Sequence, residues 1–339
     1  MQINCNLCGE IKSKNTKSTG MIVDIIFLVV GLTILILGAN WLVEGASSAA
    51  AKFGISAFTI GLTVVAFGTS MPEFVVNVLA SYSGNSGLAL GNILGSNIIN
   101  IFLVVGVAAI IKPIRVQSST VRVEIPFSLI AAIVILVLAN DMLIFGTSAN
   151  IVSRIDGLIL IFMLTVFLYY TFFHAKSDTY APITEVKNRS SSLSAIMIAG
   201  GVAGLYLGGK LIVDSATTIA ASFGVSDSLI GLTVVAIGTS LPELVTSAVA
   251  AYKGNSDIAI GNVLGSNIFN IFMVLGLSSI ISPIDVYSTA NIDLLVVCFA
   301  SIMLFAFALI GPGQKIDRKE GVLFLLIYFG YTAFLLLQA

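Results

Sequence analysis

The chain carries the same pattern twice, 170 residues apart, and this restricts its fold more than anything else in the sequence. GLTVVAFGTSMPEF begins at Gly61 and GLTVVAIGTSLPEL at Gly231. GNILGSNIINIF begins at Gly91 and GNVLGSNIFNIF at Gly261. Over 61–106 and 231–276 about two residues in three are identical, which a shared apolar composition does not produce. Flanking residues keep the offset: Gly38 with Gly208, Glu44 with Asp214, Gly54 with Gly224, Pro113 with Pro283. The protein is two copies of one unit.

The surroundings of those units follow from charge. Of 339 residues only 10% are charged and 57% are hydrophobic, where a soluble domain carries about 25% charge. Sixteen Lys+Arg and seventeen Asp+Glu cannot cover the outside, so the apolar exterior faces a lipid bilayer. A soluble enzyme is excluded, and a net charge of −1 leaves no footprint for nucleic acid. No protein partner is implied. The apolar runs are continuous, without the ten-residue alternation of a membrane barrel. The fold class is an all-α integral membrane protein.

At about 20 residues per crossing, the first copy gives five spans: 22–44, 57–82, 86–111, 123–141 and 155–174. The second gives 194–216, 227–252, 256–281, 288–310 and 319–338. The expected organisation is a disordered leader at 1–20, a first repeat at 21–174, an inter-repeat cytoplasmic loop at 175–193 and a second repeat at 194–339. An odd number of spans per copy turns the second upside down, so the ten helices form two inverted-topology repeats. Secondary transporters are often built this way, with their sites at the midplane where the repeats meet.

Charge placement agrees with the count. Lys52, Lys112, Arg115, Arg122, Lys176, Lys187, Arg189, Lys253, Lys315, Arg318 and Lys319 fall on one side; apart from the leader, only Arg154 falls on the other. By the positive-inside rule that side is cytoplasmic and both termini are extracytoplasmic.

The chemistry lies where helical rules are broken. Gly68-Thr69-Ser70-Met71-Pro72-Glu73 and Gly238-Thr239-Ser240-Leu241-Pro242-Glu243 each put a Gly, two hydroxyls, a Pro and a carboxylate mid-membrane. Proline kinks a helix and frees the carbonyl four residues before it, here that of Gly68 or Gly238. An acid at the bilayer centre costs at least about 2.5 kcal/mol on insertion scales. Glu73 and Glu243 are therefore candidate site residues. Their carboxylates, the hydroxyls of Thr69, Ser70, Thr239 and Ser240, and free carbonyls make an all-oxygen set suited to a hard cation such as Ca²⁺. In the second motif Ser96 and Asn100 share a helix face, as do Ser266 and Asn270, and that face can point at the carboxylates. Helix packing explains the small residues but leaves the paired acids without a reason.

Other polar residues have plainer readings. Cys5 and Cys8 lack the further ligands of a metal clip, and Cys298 is core filler. His174 sits at a span end as an interfacial anchor. Glu44 and Asp214 lie near span ends, with Lys210 spaced to pair with Asp214. Asp141 and Asp156 read as loop or cap residues.

GTSMPE with GNILGSNIIN, and GTSLPE with GNVLGSNIFN, resemble the two α-repeats of the cation/Ca²⁺ exchanger superfamily, specifically its prokaryotic sodium/calcium exchanger branch. The likeness covers Met21 to the end. It implies ten spans, two inverted halves and a central site where Glu73 and Glu243 are shared ligands of Ca²⁺ and Na⁺, the transported ions. It adds the carbonyls of Ala66 and Ala236, the side-chain oxygens of Ser96 and Ser266, and Asn100 and Asn270 to complete the set. It also implies three Na⁺ per Ca²⁺ and movement of spans one and six against the rest. No cofactor is implied. Some relatives, including K⁺-dependent exchangers, carry Asp at the position of Asn270; here the core charge is −2. The expectation is a Na⁺/Ca²⁺ antiporter in the cell membrane, not an enzyme. The alternatives are Ca²⁺/H⁺ or K⁺-dependent exchange and, from another class, a cation channel.

Overall fold

A computed structural model describes residues 4–146, 148–174, 189–223, 236–310 and 314–338; side chains at 4–20, 119, 145, 174, 236 and 338 lie outside the description. Helix α1 runs Asn4–Phe53. It is followed by α2 (Ala57–Thr69), α3 (Met71–Tyr82), α4 (Ser86–Ile111), α5 (Thr120–Leu138) and α6 (Arg154–Phe173). The second half brings α7 (Ser191–Ser222), a short turn Ala236–Thr239, α8 (Leu241–Tyr252), α9 (Ser256–Ile281), α10 (Ala290–Ile310) and α11 (Arg318–Leu337). Among the described residues eight helices are long and apolar enough to cross a membrane. The pair α2 and α3, bent by 46°, makes a ninth if read as one span. Part of the expected span 227–252 lies outside the described residues. Large side chains such as Leu143, Phe162, Ile310 and Leu337 stand exposed on the outside, as a lipid-facing surface requires.

Two helices outrun their expected lengths. The first span was expected to end at 44 and continues to Phe53; the sixth was expected over 194–216 and covers Ser191–Ser222. Ala- and Ser-rich turns such as Ala46–Lys52 extend a helix already nucleated by an apolar span at little cost. Helix α1 stops at Gly54, whose φ of +63° is the left-handed conformation that ends helices. The helical backbone begins at Asn4, within the segment whose composition gives a disordered leader.

These two long helices cross at backbone distance. A Cβ on Gly201 would lie 2.7 Å from Leu42 N and 2.8 Å from Gly38 O, and one on Gly208 would lie 2.7 Å from Gly31 O. Glycine at 31, 38, 201 and 208 is what allows the approach. Helices α4 and α9 occupy the centre and are almost wholly buried. Each contains a π-helical stretch, Asn100–Val105 and Phe269–Leu275, and a third lies at Gly61–Val65. The core packs around their mates Phe102 and Phe272, both fully buried; Phe102 meets Phe324 at 5.7 Å and Phe272 meets Phe127 at 6.3 Å between ring centroids.

Two short ribbons supplement the helices. β1 (Ile114–Arg115) pairs antiparallel with β4 (Lys315–Ile316), and β2 (Ile151–Val152) with β3 (Ile284–Asp285). Each ribbon joins one sequence copy to the other, tying loops whose backbone groups otherwise lack helical partners.

Candidate functional site

The helix breaks do not take the form that the prolines alone suggest. Pro72 and Pro242 do not kink a continuous helix. Each sits in the first turn of a new one, after a single non-helical residue, Ser70 (φ −81°, ψ 7°) or Ser240 (φ −90°, ψ 5°). Proline is tolerated there because first-turn N–H groups have no helical acceptor. The consequence is electrostatic: Glu73 and Glu243 fall in the first turns of α3 and α8, where the helix dipole favours a negative charge.

Both glutamates are fully buried, and each is held by serines of both copies. Ser70 Oγ donates to Glu243 Oε1 at 3.0 Å and Ser266 Oγ does so at 3.3 Å. In the mirrored arrangement Ser240 Oγ donates to Glu73 Oε1 at 3.3 Å and Ser96 Oγ at 3.4 Å. The crossing of Ser70 and Ser240 brings the two breaks together around the two acids. Thr69 Oγ1 reaches the other copy as well, donating to Asn262 Oδ1 at 3.0 Å, with Ser266 Oγ at 3.4 Å. Thr239 Oγ1 donates to Asn92 Oδ1 at 3.4 Å.

The other oxygens of the acids have no such partner. Glu73 Oε2, Glu243 Oε2, Asn100 Oδ1 and both polar atoms of Asn270 are buried without a hydrogen bond. An unmatched buried polar atom costs about 1–3 kcal/mol, and more when charged. The free oxygens of the two carboxylates are acceptors that only a positive charge or a donor can satisfy, and Asn270 adds a buried, unmatched amide. Among the described residues no three His, Cys, Asp or Glu side chains cluster anywhere, so the charge here is that of the two glutamates. A hard cation accepts such an oxygen set.

The alanine carbonyls are not equivalent. Ala66 O accepts Ser70 N at 3.0 Å and Thr69 Oγ1 at 3.2 Å. In the second copy Ser240 N donates to Ile237 O at 3.1 Å, one residue later than the offset gives. The side chain of Ala236 lies outside the described residues.

Elsewhere, Glu44 finds long-range partners: Arg189 Nη2 at 2.7 Å and Lys253 Nζ at 3.1 Å. The local pair expected of Lys210 and Asp214 does not form; both are exposed, and solvation outcompetes a surface contact. Asp156 caps α6 through Ser153 N at 2.7 Å, and Cys298 is buried with its thiol on Ala132 O at 3.5 Å. The side chains of Cys5, Cys8 and His174 lie outside the described residues. The residues that sequence reasoning passed over are Asn77, Asn92, Ser247 and Asn262. Asn92 Nδ2 donates to Asn77 Oδ1 at 2.5 Å and Asn262 Nδ2 to Ser247 Oγ at 3.0 Å. Their signal was available, since 77 and 247 lie one helical turn beyond the glutamates, on the same face.

The sequence matches the sodium/calcium exchanger protein family over residues 23–173 and 193–337. It is 38% identical over 314 residues to the inner membrane protein YrbG of Escherichia coli, covering 89% of this chain and 94% of that one. It is 32% identical over 345 residues to the sodium/calcium exchanger MaX1 of Methanosarcina acetivorans, covering 92% and 98%. In structure it is similar to the sodium-calcium exchanger NCX_Mj soaked with 10 mM Na⁺ and zero Ca²⁺. The TM-score is 0.80 at 34% identity, over 92% of this chain and 99% of that one.

Proposed function

Since the chain belongs to the sodium/calcium exchanger family, we propose that it is a secondary active antiporter exchanging Na⁺ for Ca²⁺ by alternating access. Both ions share a central site built on Glu73 and Glu243, with Thr69, Ser70, Ser96, Asn100, Thr239, Ser240, Ser266 and Asn270 around them and the carbonyls of Ala66 and Ala236 at the flanks. The observation that carries the reading is the pair of fully buried carboxylates, one per copy, each with an oxygen lacking any hydrogen bond.

The mechanism follows from charge. One Ca²⁺ neutralises two carboxylates, and two Na⁺ do the same, so occupancy by one kind expels the other. The unloaded site carries two negative charges, and moving them through an apolar constriction is costly. The protein therefore changes conformation only when loaded, and exchange is obligatory. Serine hydroxyls on Oε1 orient each carboxylate and leave Oε2 for the ion. The helix dipoles of α3 and α8 favour the negative charge of both acids. The inverted repeats give the two access states: ten spans, five per copy, with both termini extracytoplasmic in the cell membrane. The family resemblance makes α1 and α7 the moving pair, and their glycine-lined crossing, with Ser194 Oγ on Ser48 Oγ at 3.1 Å, lets the two move as one unit.

The test is uptake of radiolabelled Ca²⁺ into vesicles reconstituted with the purified chain, under separately imposed Na⁺, H⁺ and K⁺ gradients. Uptake driven by an outward Na⁺ gradient and indifferent to K⁺ is expected. Uptake driven by a proton gradient alone, or flux without any counter-ion, would overturn the assignment in favour of a Ca²⁺/H⁺ antiporter or a channel.

A further inference from the structure

Glu44 is held by two cations that belong to different parts of the fold. Arg189 lies two residues before α7, and its backbone N also donates to Ser48 Oγ of α1 at 3.1 Å, so its bond to Glu44 stays within the α1–α7 pair. Lys253 follows α8, outside that pair, and reaches Glu44 Oε1 at 3.1 Å. Two residues further on, Asn255 Nδ2 donates to Ser47 Oγ of α1 at 3.4 Å. One end of the pair is tied to the rest of the bundle through side chains.

The opposite end has no such tie. The 170-residue offset makes Asp214 of α7 the mate of Glu44, Ser83 the mate of Lys253 and Asn85 the mate of Asn255. Asp214 is exposed, and Ser83 Oγ lies 2.9 Å from Leu79 O and 3.0 Å from Ala80 O of its own helix. Asn85 Oδ1 accepts Leu88 N at 3.0 Å, again locally. The polar bonds at that end of α7 stay inside the helix: Thr218 Oγ1 donates to Asp214 O at 2.9 Å and Ser222 Oγ to Ile219 O at 2.6 Å. Acid and amide are kept at both ends, and the lysine at one only.

Resting on the reading of this chain as an alternating-access antiporter in which α1 and α7 move together, we propose that Lys253 is a latch that biases its two access states. Where inverted repeats exchange roles between those states, the contact that matches Glu44 with Lys253 is Asp214 with Ser83. A serine offers that acid a neutral hydroxyl in place of a full charge. The tie exists in one state and has no equal in the other, so the equilibrium leans toward the arrangement in which the Glu44 end is fastened to the bundle. A part-exposed ion pair is weak, which limits the lean to about fivefold in the ratio of the two states. That still decides which face of the membrane meets the better-populated site, because apparent affinity scales with the fraction of protein competent to bind.

The test is uptake of radiolabelled Ca²⁺ against loaded Na⁺ in right-side-out and inverted membrane vesicles carrying the full chain, from a host without Ca²⁺ exchange of its own. The apparent Ca²⁺ affinity is measured at each face, and the ratio of the two follows the ratio of the two states. Lys253→Ser makes the copies alike and is expected to shift that ratio about two- to fivefold in favour of the face on the Glu44 side. Lys253→Arg, which keeps the charge, is expected to hold the parent ratio. Parent and Lys253→Ser are expected to converge at high ionic strength, where the pair is screened. Ser83→Lys gives Asp214 a cation of its own and is expected to move the ratio the same way as Lys253→Ser, with the double variant moving it furthest. A ratio indifferent to Lys253→Ser would overturn the latch, as would a shift that survives high salt or that Lys253→Arg reproduces. Those outcomes leave Na⁺-driven uptake intact, whereas a parent with no such uptake removes the antiporter reading and the latch together.

Discussion

The centre of this protein and its rim handle polarity in opposite ways. At the centre, α4 and α9 bring amides and hydroxyls against two acids, and several buried oxygens stay without a hydrogen bond. At the rim, α1 and α7 meet largely through glycine backbone, and of the acids they carry Glu44 is held by both Arg189 and Lys253 while Asp214 is exposed. Unmatched polar atoms are expensive in lipid; Ser81, Ser278 and Arg189 each carry one away from the centre, but only at the centre do they fall on a pair of buried acids, on Glu73 Oε2 and Glu243 Oε2. The contrast teaches where stability and function reside. The rim is packed to stay together, and the centre is left short of full satisfaction, as the proposed ion site requires.

The sharpest test of that contrast is Glu73→Gln or Glu243→Gln. The amide keeps the volume and an oxygen to accept the serine hydroxyls, but it removes the charge. Exchange is expected to fall at least about 100-fold, measured as Na⁺-driven Ca²⁺ uptake in vesicles. Thermal unfolding without ions is expected to stay level or rise, because removing an unpaired buried charge relieves a cost. Equal losses of stability and transport would mean that the carboxylates hold the fold together, and the distinction between centre and rim would fail.

At the rim the effect reverses. Gly201→Val puts side-chain atoms where backbone of α1 stands within 2.8 Å. Backbone cannot yield as a side chain does, and such overpacking costs about 1–3 kcal/mol. A lower unfolding temperature is expected, with Ca²⁺ affinity of the folded fraction unchanged. A variant as stable as the parent would show that α1 and α7 are not held at backbone contact.

The same division decides what could be read from the sequence. The candidate site residues could be named because the pattern that singles them out is local: GTSxPE and GNxxGSNxxN each place their groups within a turn or two, twice. The break itself was only half legible. Proline announced a disturbance near Pro72, but whether it kinks a helix or opens a new one depends on Ser70 and its cross-copy bond to Glu243. Helix ends at the rim were less legible still, since hydropathy marks where lipid stops and not where an Ala- and Ser-rich helix does. That is why α1 runs on to Phe53. Asn77 and Ser247 were visible as polar residues at helical spacing, but their partners are carbonyls of the next helix, which no local pattern names. Glu44 draws on residues 145 and 209 positions away, and only the assembled fold brings them in reach.

Those partners give the smallest and most discriminating test. The ion pair of Glu44 with Lys253 is part-exposed, at 38% and 25% of the side-chain surface, and Arg189 at 2.7 Å remains when the lysine is removed. Exposed pairs contribute about 0–1 kcal/mol and are screened by salt. Lys253→Ala is therefore expected to lower stability by less than about 1 kcal/mol, and the difference from the parent should vanish at high ionic strength. The reasoning turns on redundancy: Glu44 has two cations where one would serve, whereas Glu73 and Glu243 each lack a partner on one oxygen. A large, salt-resistant loss on Lys253→Ala, read by thermal unfolding at low and high salt, would mean that the rim depends on a single polar contact as strictly as the proposed site would depend on its ion.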